Sequence, residues 1–107
     1  MNNERNTPKG PHKNMSFSDA LIWIKAGARV RRAGWNGKNM FVFLVPGSTF
    51  EVNRPPLLGI FPPGTSINYG SHIDIRAANG EIRPWLASQA DLLCDDWEVD
   101  NDVPTAG

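Results

Sequence analysis

The sequence predicts an α+β domain: a small twisted antiparallel β-sheet with one long N-terminal helix and one short C-terminal helix. Three observations predict it. Asn36-Gly37 and Asn79-Gly80 each sit between strand-like runs, and Asn-Gly is the strongest short-range hairpin signal because both central residues must tolerate positive φ. Ser16-Phe17-Ser18-Asp19 and Ser88-Gln89-Ala90-Asp91 each precede an apolar run, as a helix start does. Ile73, Ile75 and Ala77 alternate with His72, Asp74 and Arg76, the period of a half-buried strand.

Residues 1–14 hold almost nothing apolar and read as a disordered extension; Asp100 to Gly107 read as a flexible tail. The domain is expected over 15–99. Ser16 is the expected N-cap of the first helix, although its partner three residues on is Asp rather than the usual Glu or Gln. Phe17, Leu21 and Ile24 form its apolar stripe, Trp23 lies near the edge of that stripe, and Gly27 supplies the stop. Residues 28–35 and 38–45 form a hairpin about Asn36-Gly37. Met40 to Val45 is apolar on both faces, so the strand is covered twice, either within the monomer or by another subunit.

Pro46 to Ser71 holds five of the nine prolines and four glycines. It reads as a long irregular connection, the kind that serves as a binding loop or lid. Leu57, Leu58, Ile60, Phe61, Ile67 and Tyr69 require it to pack on the sheet or on a partner chain. A second hairpin joins Ile73–Ala78 to Glu81–Trp85 about Asn79-Gly80. A two-residue turn there places Arg76 opposite Arg83 and Trp85 opposite Asp74, and two facing cations call for an anion between them or for splaying into solvent. A short helix over Gln89–Cys94 and a closing strand, Trp97-Glu98-Val99, complete the domain.

At 107 residues the chain makes one domain with one modest core. Eleven cationic and eleven acidic residues cancel, which argues against a DNA or RNA polymer as partner but leaves room for a small anionic ligand. A net charge near zero also favours self-association. Cys94 is the single cysteine, so no internal disulfide forms and a reducing cytoplasm fits. The longest apolar run is far too short to span a membrane, and the N-terminus has no signal-peptide core.

A catalytic reading finds little support. There is no Gly-rich phosphate loop and no His/Cys/carboxylate spacing for a metal. Cys94 lies on an apolar helix face, with His72 its only conceivable base, and Asp95-Asp96 reads as solvated charge at a helix end. No cofactor is implied. Trp35, with Arg31 and Arg32 before it and Lys38 after the turn, does offer a rigid aromatic plane beside cations, which suits a nucleobase and a phosphate; the same Trp also reads as a cross-strand pair that only steadies the hairpin.

The segments Ser16-Phe17-Ser18-Asp19-Ala20-Leu21, Gly34-Trp35-Asn36-Gly37-Lys38, Phe50 through Leu58, His72-Ile73-Asp74, Pro84 through Leu93 and Asp95-Asp96-Trp97 resemble the Thoeris anti-defence two family over about 15–99. The resemblance implies a phage protein that sequesters the cyclic ADP-ribose-type signal of bacterial Thoeris defence. It implies a homotetramer that binds glycocyclic ADP-ribose without cleaving it, and in some members cyclic di- or trinucleotides as well. On that basis the expected ligand-binding residues are Arg32, Trp35, Asn36, Asn53, Arg54, Trp85 and Gln89, with no catalytic and no metal-binding residue. Trp23 and Trp97 are expected in the core. A small phage structural or protein-interaction module without a nucleotide ligand, and a nucleotide hydrolase, are the competing readings.

Overall fold

A computed structural model describes residue 8 and residues 10–100. Its elements are α1 (Phe17–Lys25), β1 (Val30–Arg32), β2 (Phe41–Val45), β3 (Ser48–Glu51), β4 (Ser66–Tyr69), β5 (His72–Arg76), β6 (Ile82–Pro84), α2 (Gln89–Leu93) and β7 (Trp97–Val99). An antiparallel five-stranded sheet runs β6-β5-β2-β1-β7, and β3 pairs with β4 in a separate two-stranded ribbon. The class is α+β as expected, but both helices are short. α1 has nine residues, because Gly27, at φ +98°, ends it where a C′ glycine should.

Ser16 caps α1 by accepting from the Asp19 N–H at 3.3 Å. The box at α2 is complete: Asp91 N–H donates to Ser88 Oγ and Ser88 N–H to Asp91 Oδ2, each at 3.0 Å. Asp thus does at N3 what Glu usually does. α1 lies across the sheet and buries Ala20, Trp23 and Ile24 against Met15, Ala28, Val30, Val42, Trp97 and Val99. Registers Val30↔Val42, Val42↔Ile75 and Val30↔Val99 put these valines and Ile75 on one face, since directly paired residues point the same way. Phe41, Phe43 and Val45 point the other way and are half-buried, with no helix over them among the described residues.

The terminal boundaries shift. Trp23 Nε1 donates to Pro11 O at 3.2 Å, Val99 N to His12 O at 2.8 Å, and the His12 and Trp23 rings lie 4.8 Å apart. Residues 11–14, read as part of a disordered extension, are therefore docked, as is Asp100, read as tail, which lies 3.7 Å from both Arg29 and Arg31. Residues 1–7, 9 and 101–107 lie outside the described part.

Both hairpin registers differ from the expected ones by one residue. At Asn79-Gly80 the loop is Ala78-Asn79-Gly80: Gly80 N donates to Ala77 O at 2.9 Å and Ala77 N to Glu81 O at 2.8 Å, with Gly80 at φ +93°. This is the three-residue loop with a glycine bulge. Arg76 then faces Ile82 and Arg83 faces Ile75, so the expected Arg76–Arg83 juxtaposition does not exist. Arg76 donates instead to Asn39 O at 3.0 Å, and Arg83 to Glu81 Oε1 at 2.6 Å. At Asn36-Gly37 no two-residue turn forms; β1 ends at Arg32, and Ala33 N–H still donates to Asp96 O at 2.9 Å in the register of the β1–β7 pairing. Positive φ falls on Asn39, at 60°.

The segment 46–71 is mostly a hairpin rather than an irregular loop. Val45 pairs with His72 and Ser48 with Tyr69; both sums are 117, so β3–β4 continues the β2–β5 hairpin in register. The ribbon breaks from the sheet at Pro46-Gly47 and Gly70-Ser71. Pro46 has no N–H to donate, and a Cβ at Gly47 would stand 2.8 Å from Tyr69 O, so only glycine allows that approach.

Candidate ligand-binding site

Trp97 is fully buried and is the hub of an aromatic cluster. Phe17 packs on it at 5.4 Å, Trp35 at 5.4 Å edge-on and Trp85 at 5.8 Å edge-on. Edge-to-face packing suits the ring quadrupoles. Its indole N–H donates to Asp91 O at 2.8 Å, which fixes the ring to α2. Trp23 is likewise buried, at 3% exposure, whereas Trp35 and Trp85 are half-buried. The four tryptophans thus divide into an inner pair and an outer pair, the division expected from the sequence.

Arg32 cross-links the cluster. Its Nε donates to Asp96 Oδ1 and its Nη1 to Asp91 Oδ1, both at 2.9 Å. Asp96 Oδ2 also accepts from Gly34 N–H at 2.9 Å. The hydrogen bond from Arg32 is the main cause that lowers the Asp96 carboxyl to about 2. Burial alone would raise Asp91, but the Ser88 N–H, Arg32, the Ser88 hydroxyl and the Trp35 indole outweigh it and lower it. Arg32 in turn is held firmly protonated, first by Asp96 and then by Asp91. Burial pushes the Cys94 thiol up, away from the thiolate form a nucleophile needs. Among the described residues no group of three or more His, Cys, Asp or Glu is placed to hold a metal.

The seven expected site residues fall into two groups. Arg32, Trp35 and Trp85 converge on the Trp97 hub, Asn36 is exposed beside Trp35, and Gln89 is exposed at the first turn of α2. Trp35 and Arg32 line a hollow of about 230 Å³ with Arg31, Asn39 and Glu98. Trp85 lines a larger, mainly apolar one of about 490 Å³ with Leu21, Leu44, Ile73 and Leu92, rimmed by Lys25, Ser71 and His72. Asn53 and Arg54 lie apart, in a hollow of about 360 Å³ walled by residues 50–57 of the ribbon and its loop. Arg54 is exposed, and its guanidinium makes no ion pair with Glu51. Sequence reasoning missed Asp91 and Asp96. The capping signal at Ser88 pointed to Asp91, but the second use of its carboxylate, on Arg32 59 residues away, has no local signature.

A family model described as a Thoeris anti-defense 2-like domain matches residues 15–99. The chain belongs to that family. A curated relative, "Thoeris anti-defense 2" of Bacillus phage SP01, is 41% identical over 88 residues, which is 79% of this chain and 93% of the relative. The residues matched by the family model, 15–99, span the five-stranded sheet, both helices and the ribbon. The Thoeris anti-defense 2-like family is one of phage anti-defence proteins, and the chemistry of the aromatic cluster is to be fitted to that role. No helix among the described residues is long and apolar enough to cross a membrane.

Proposed function

We propose that the protein is a nucleotide sponge: it binds and sequesters a cyclic ADP-ribose-type signal, glycocyclic ADP-ribose in the terms of the sequence resemblance, and so blocks Thoeris signalling in the infected cell's cytoplasm. Cyclic di- and trinucleotides belong to the same ligand class. The resemblance further implies a homotetramer. The observation that carries the reading is the outer tryptophan pair. Trp35 and Trp85 are held edge-on against buried Trp97 and keep part of each ring exposed, which is how a preorganised stacking platform is built. Base–aromatic stacking contributes ~1–3 kcal/mol per base.

In this reading Arg54, exposed and without an ion-pair partner among the described residues, contacts the diphosphate, and Asn36, Asn53 and Gln89 meet ribose hydroxyls. Arg32 holds the Trp35 turn in place rather than the ligand, since two carboxylates take up its Nε and Nη1. Binding without turnover is supported by the chemistry of the groups nearby: Asp91 and Asp96 are consumed by Arg32, and Cys94 favours its neutral thiol.

The test is to incubate the protein with the nucleotide, remove the excess, denature by heat and analyse what is released. Intact nucleotide in stoichiometric amount is expected. Degraded nucleotide would establish an enzyme, and no nucleotide a protein-interaction module.

A further inference from the structure

Asn36-Gly37 and Asn79-Gly80 are the same dipeptide in two different settings. Asn-Gly is the pair most open to deamidation, because glycine puts no side chain in the way of its own amide nitrogen. That nitrogen attacks the preceding side-chain amide carbon and closes a five-membered succinimide. Closure needs a Gly N–H and an Asn side chain that are free to meet. At the second hairpin neither is free. Gly80 N–H donates to Ala77 O at 2.9 Å, and Asn79 Oδ1 accepts from Glu81 N–H at 3.0 Å. Both bonds belong to the glycine-bulge loop and must break before the ring closes.

Asn36-Gly37 has no such restraint. It lies outside any strand or helix, and Asn36 is exposed. Among the described residues neither the Asn36 side chain nor Gly37 N–H makes a hydrogen bond. Packing nevertheless demands glycine at 37: a Cβ there would collide with Met40 and stand 2.7 Å from Ala78 Cβ. Any side chain that would shield Asn36 from attack is thereby excluded. The segment just before the pair is held firmly. Trp35 N–H donates to Arg32 O at 3.2 Å and Gly34 N–H to Asp96 Oδ2 at 2.9 Å. The unrestrained pair thus begins at the residue after the Trp35 ring.

We propose that Asn36, and not Asn79, is a modification site: it deamidates spontaneously in the folded protein, and the product weakens the hold on an anionic ligand. Gly37 N attacks Asn36 Cγ and gives up its proton, Nδ2 leaves as ammonia, and water then opens the succinimide. Water enters and ammonia departs, with no change of oxidation state and no further reactant. Opening at one carbonyl gives an aspartate, and at the other an isoaspartate whose main chain is one carbon longer. Either product adds a negative charge beside the Trp35 ring, on a chain that is formally neutral, and opposes exposed Lys38 two residues on. The longer main chain also displaces Gly37 from its fit against Met40 and Ala78. The consequence for the ligand rests on the nucleotide reading above; the modification itself does not.

Peptide mapping by mass spectrometry of the full chain, kept folded in mildly alkaline buffer, tests it. Trypsin puts the two sites on separate peptides, Ala33–Lys38 and the one that begins at Ala77. Acid forms should accumulate on Ala33–Lys38 at least about tenfold faster than at Asn79, the factor set by two hydrogen bonds that must open first. In denaturant the two rates should converge. Equal rates in the folded chain, or a faster Asn79, overturn the assignment. Calorimetry with cyclic ADP-ribose as the probe tests the consequence. Asn36→Asp, which installs the charge directly, should bind about tenfold more weakly than neutral Asn36→Ala, and the gap should narrow with added salt. Equal binding by the two variants overturns the effect on the ligand. A parent that binds no probe instead fails the sponge reading, and the peptide map still decides the modification.

Discussion

The Trp97 cluster and the β3–β4 ribbon are opposites. Around Trp97 every strong polar group has a partner inside the chain: Arg32 meets two carboxylates, Asp91 caps a helix and holds a guanidinium, and Asp96 takes an N–H from Gly34. On the ribbon, Phe50 and Tyr69 meet each other, and Tyr69 meets His72, yet both rings stay partly exposed, as does Arg54. The first region is closed by its own side chains; the second leaves apolar surface exposed. Stability should therefore reside in the cluster, and recognition in the ribbon and in the exposed parts of Trp35 and Trp85.

The contrast breaks most visibly by truncating its centre. Trp97→Ala and Trp23→Ala should each cost ~3–5 kcal/mol in denaturant unfolding, whereas Phe50→Ala, compared at high dilution, should cost under ~1 kcal/mol; equal costs would erase the distinction. Arg32→Ala leaves two carboxylates facing each other and should cost ~3 kcal/mol, with a change in tryptophan emission as Trp35 loosens. An effect on nucleotide affinity with stability intact would instead make Arg32 a ligand contact.

Trp35→Ala and Trp85→Ala should weaken nucleotide binding by ~1–3 kcal/mol each in calorimetry, and unchanged affinity for both would remove the stacking platform. Asp96 sharpens the comparison through pH. Its folded value, about 2, is below the ordinary carboxylate value of 3.8. The stabilisation is therefore complete above that ordinary value and is lost as pH falls through about 2. Allowing for the partial exposure of the carboxylate, it amounts to about 1–2 kcal/mol. Unfolding curves of Asp96→Asn against the parent should converge toward pH 2 and diverge above pH 4. The smallest effect is expected at Arg54→Lys: stability unchanged, and nucleotide affinity reduced about tenfold, because Lys lacks the bidentate fork. Equal affinity would return the phosphate contact to another cation.

The helices, the N-caps, the inner and outer tryptophans and the antiparallel class were legible in the residues, because capping, stripe and alternation are local signals. Registers were not. Asn79-Gly80 announces a turn without saying whether two or three residues turn, and that single residue separates a facing Arg76–Arg83 pair from two cations on opposite faces. The ribbon was hidden by its own composition. Prolines and glycines at 46–47, 55–56, 59, 62–64 and 70 read as irregularity, although most of them lie in the break and the loop, and the strands between them, Ser48–Glu51 and Ser66–Tyr69, are four residues each. Asp95-Asp96 read as solvated charge because Arg32 lies 64 residues away from Asp96 in sequence; only the β1–β7 pairing brings them together.

The unbroken register between sheet and ribbon has a mechanical consequence. The two strands that form the ribbon, β3 and β4, continue past the break from two interior strands of the five-stranded sheet, β2 and β5, flanked by β1 and β6. A pull on the ribbon is therefore delivered to the sheet's interior strands along their length, loading many hydrogen bonds in parallel, rather than peeling an edge strand one bond at a time. The ribbon is a handle fastened to the strongest part of the molecule, and whatever grips it grips the whole domain.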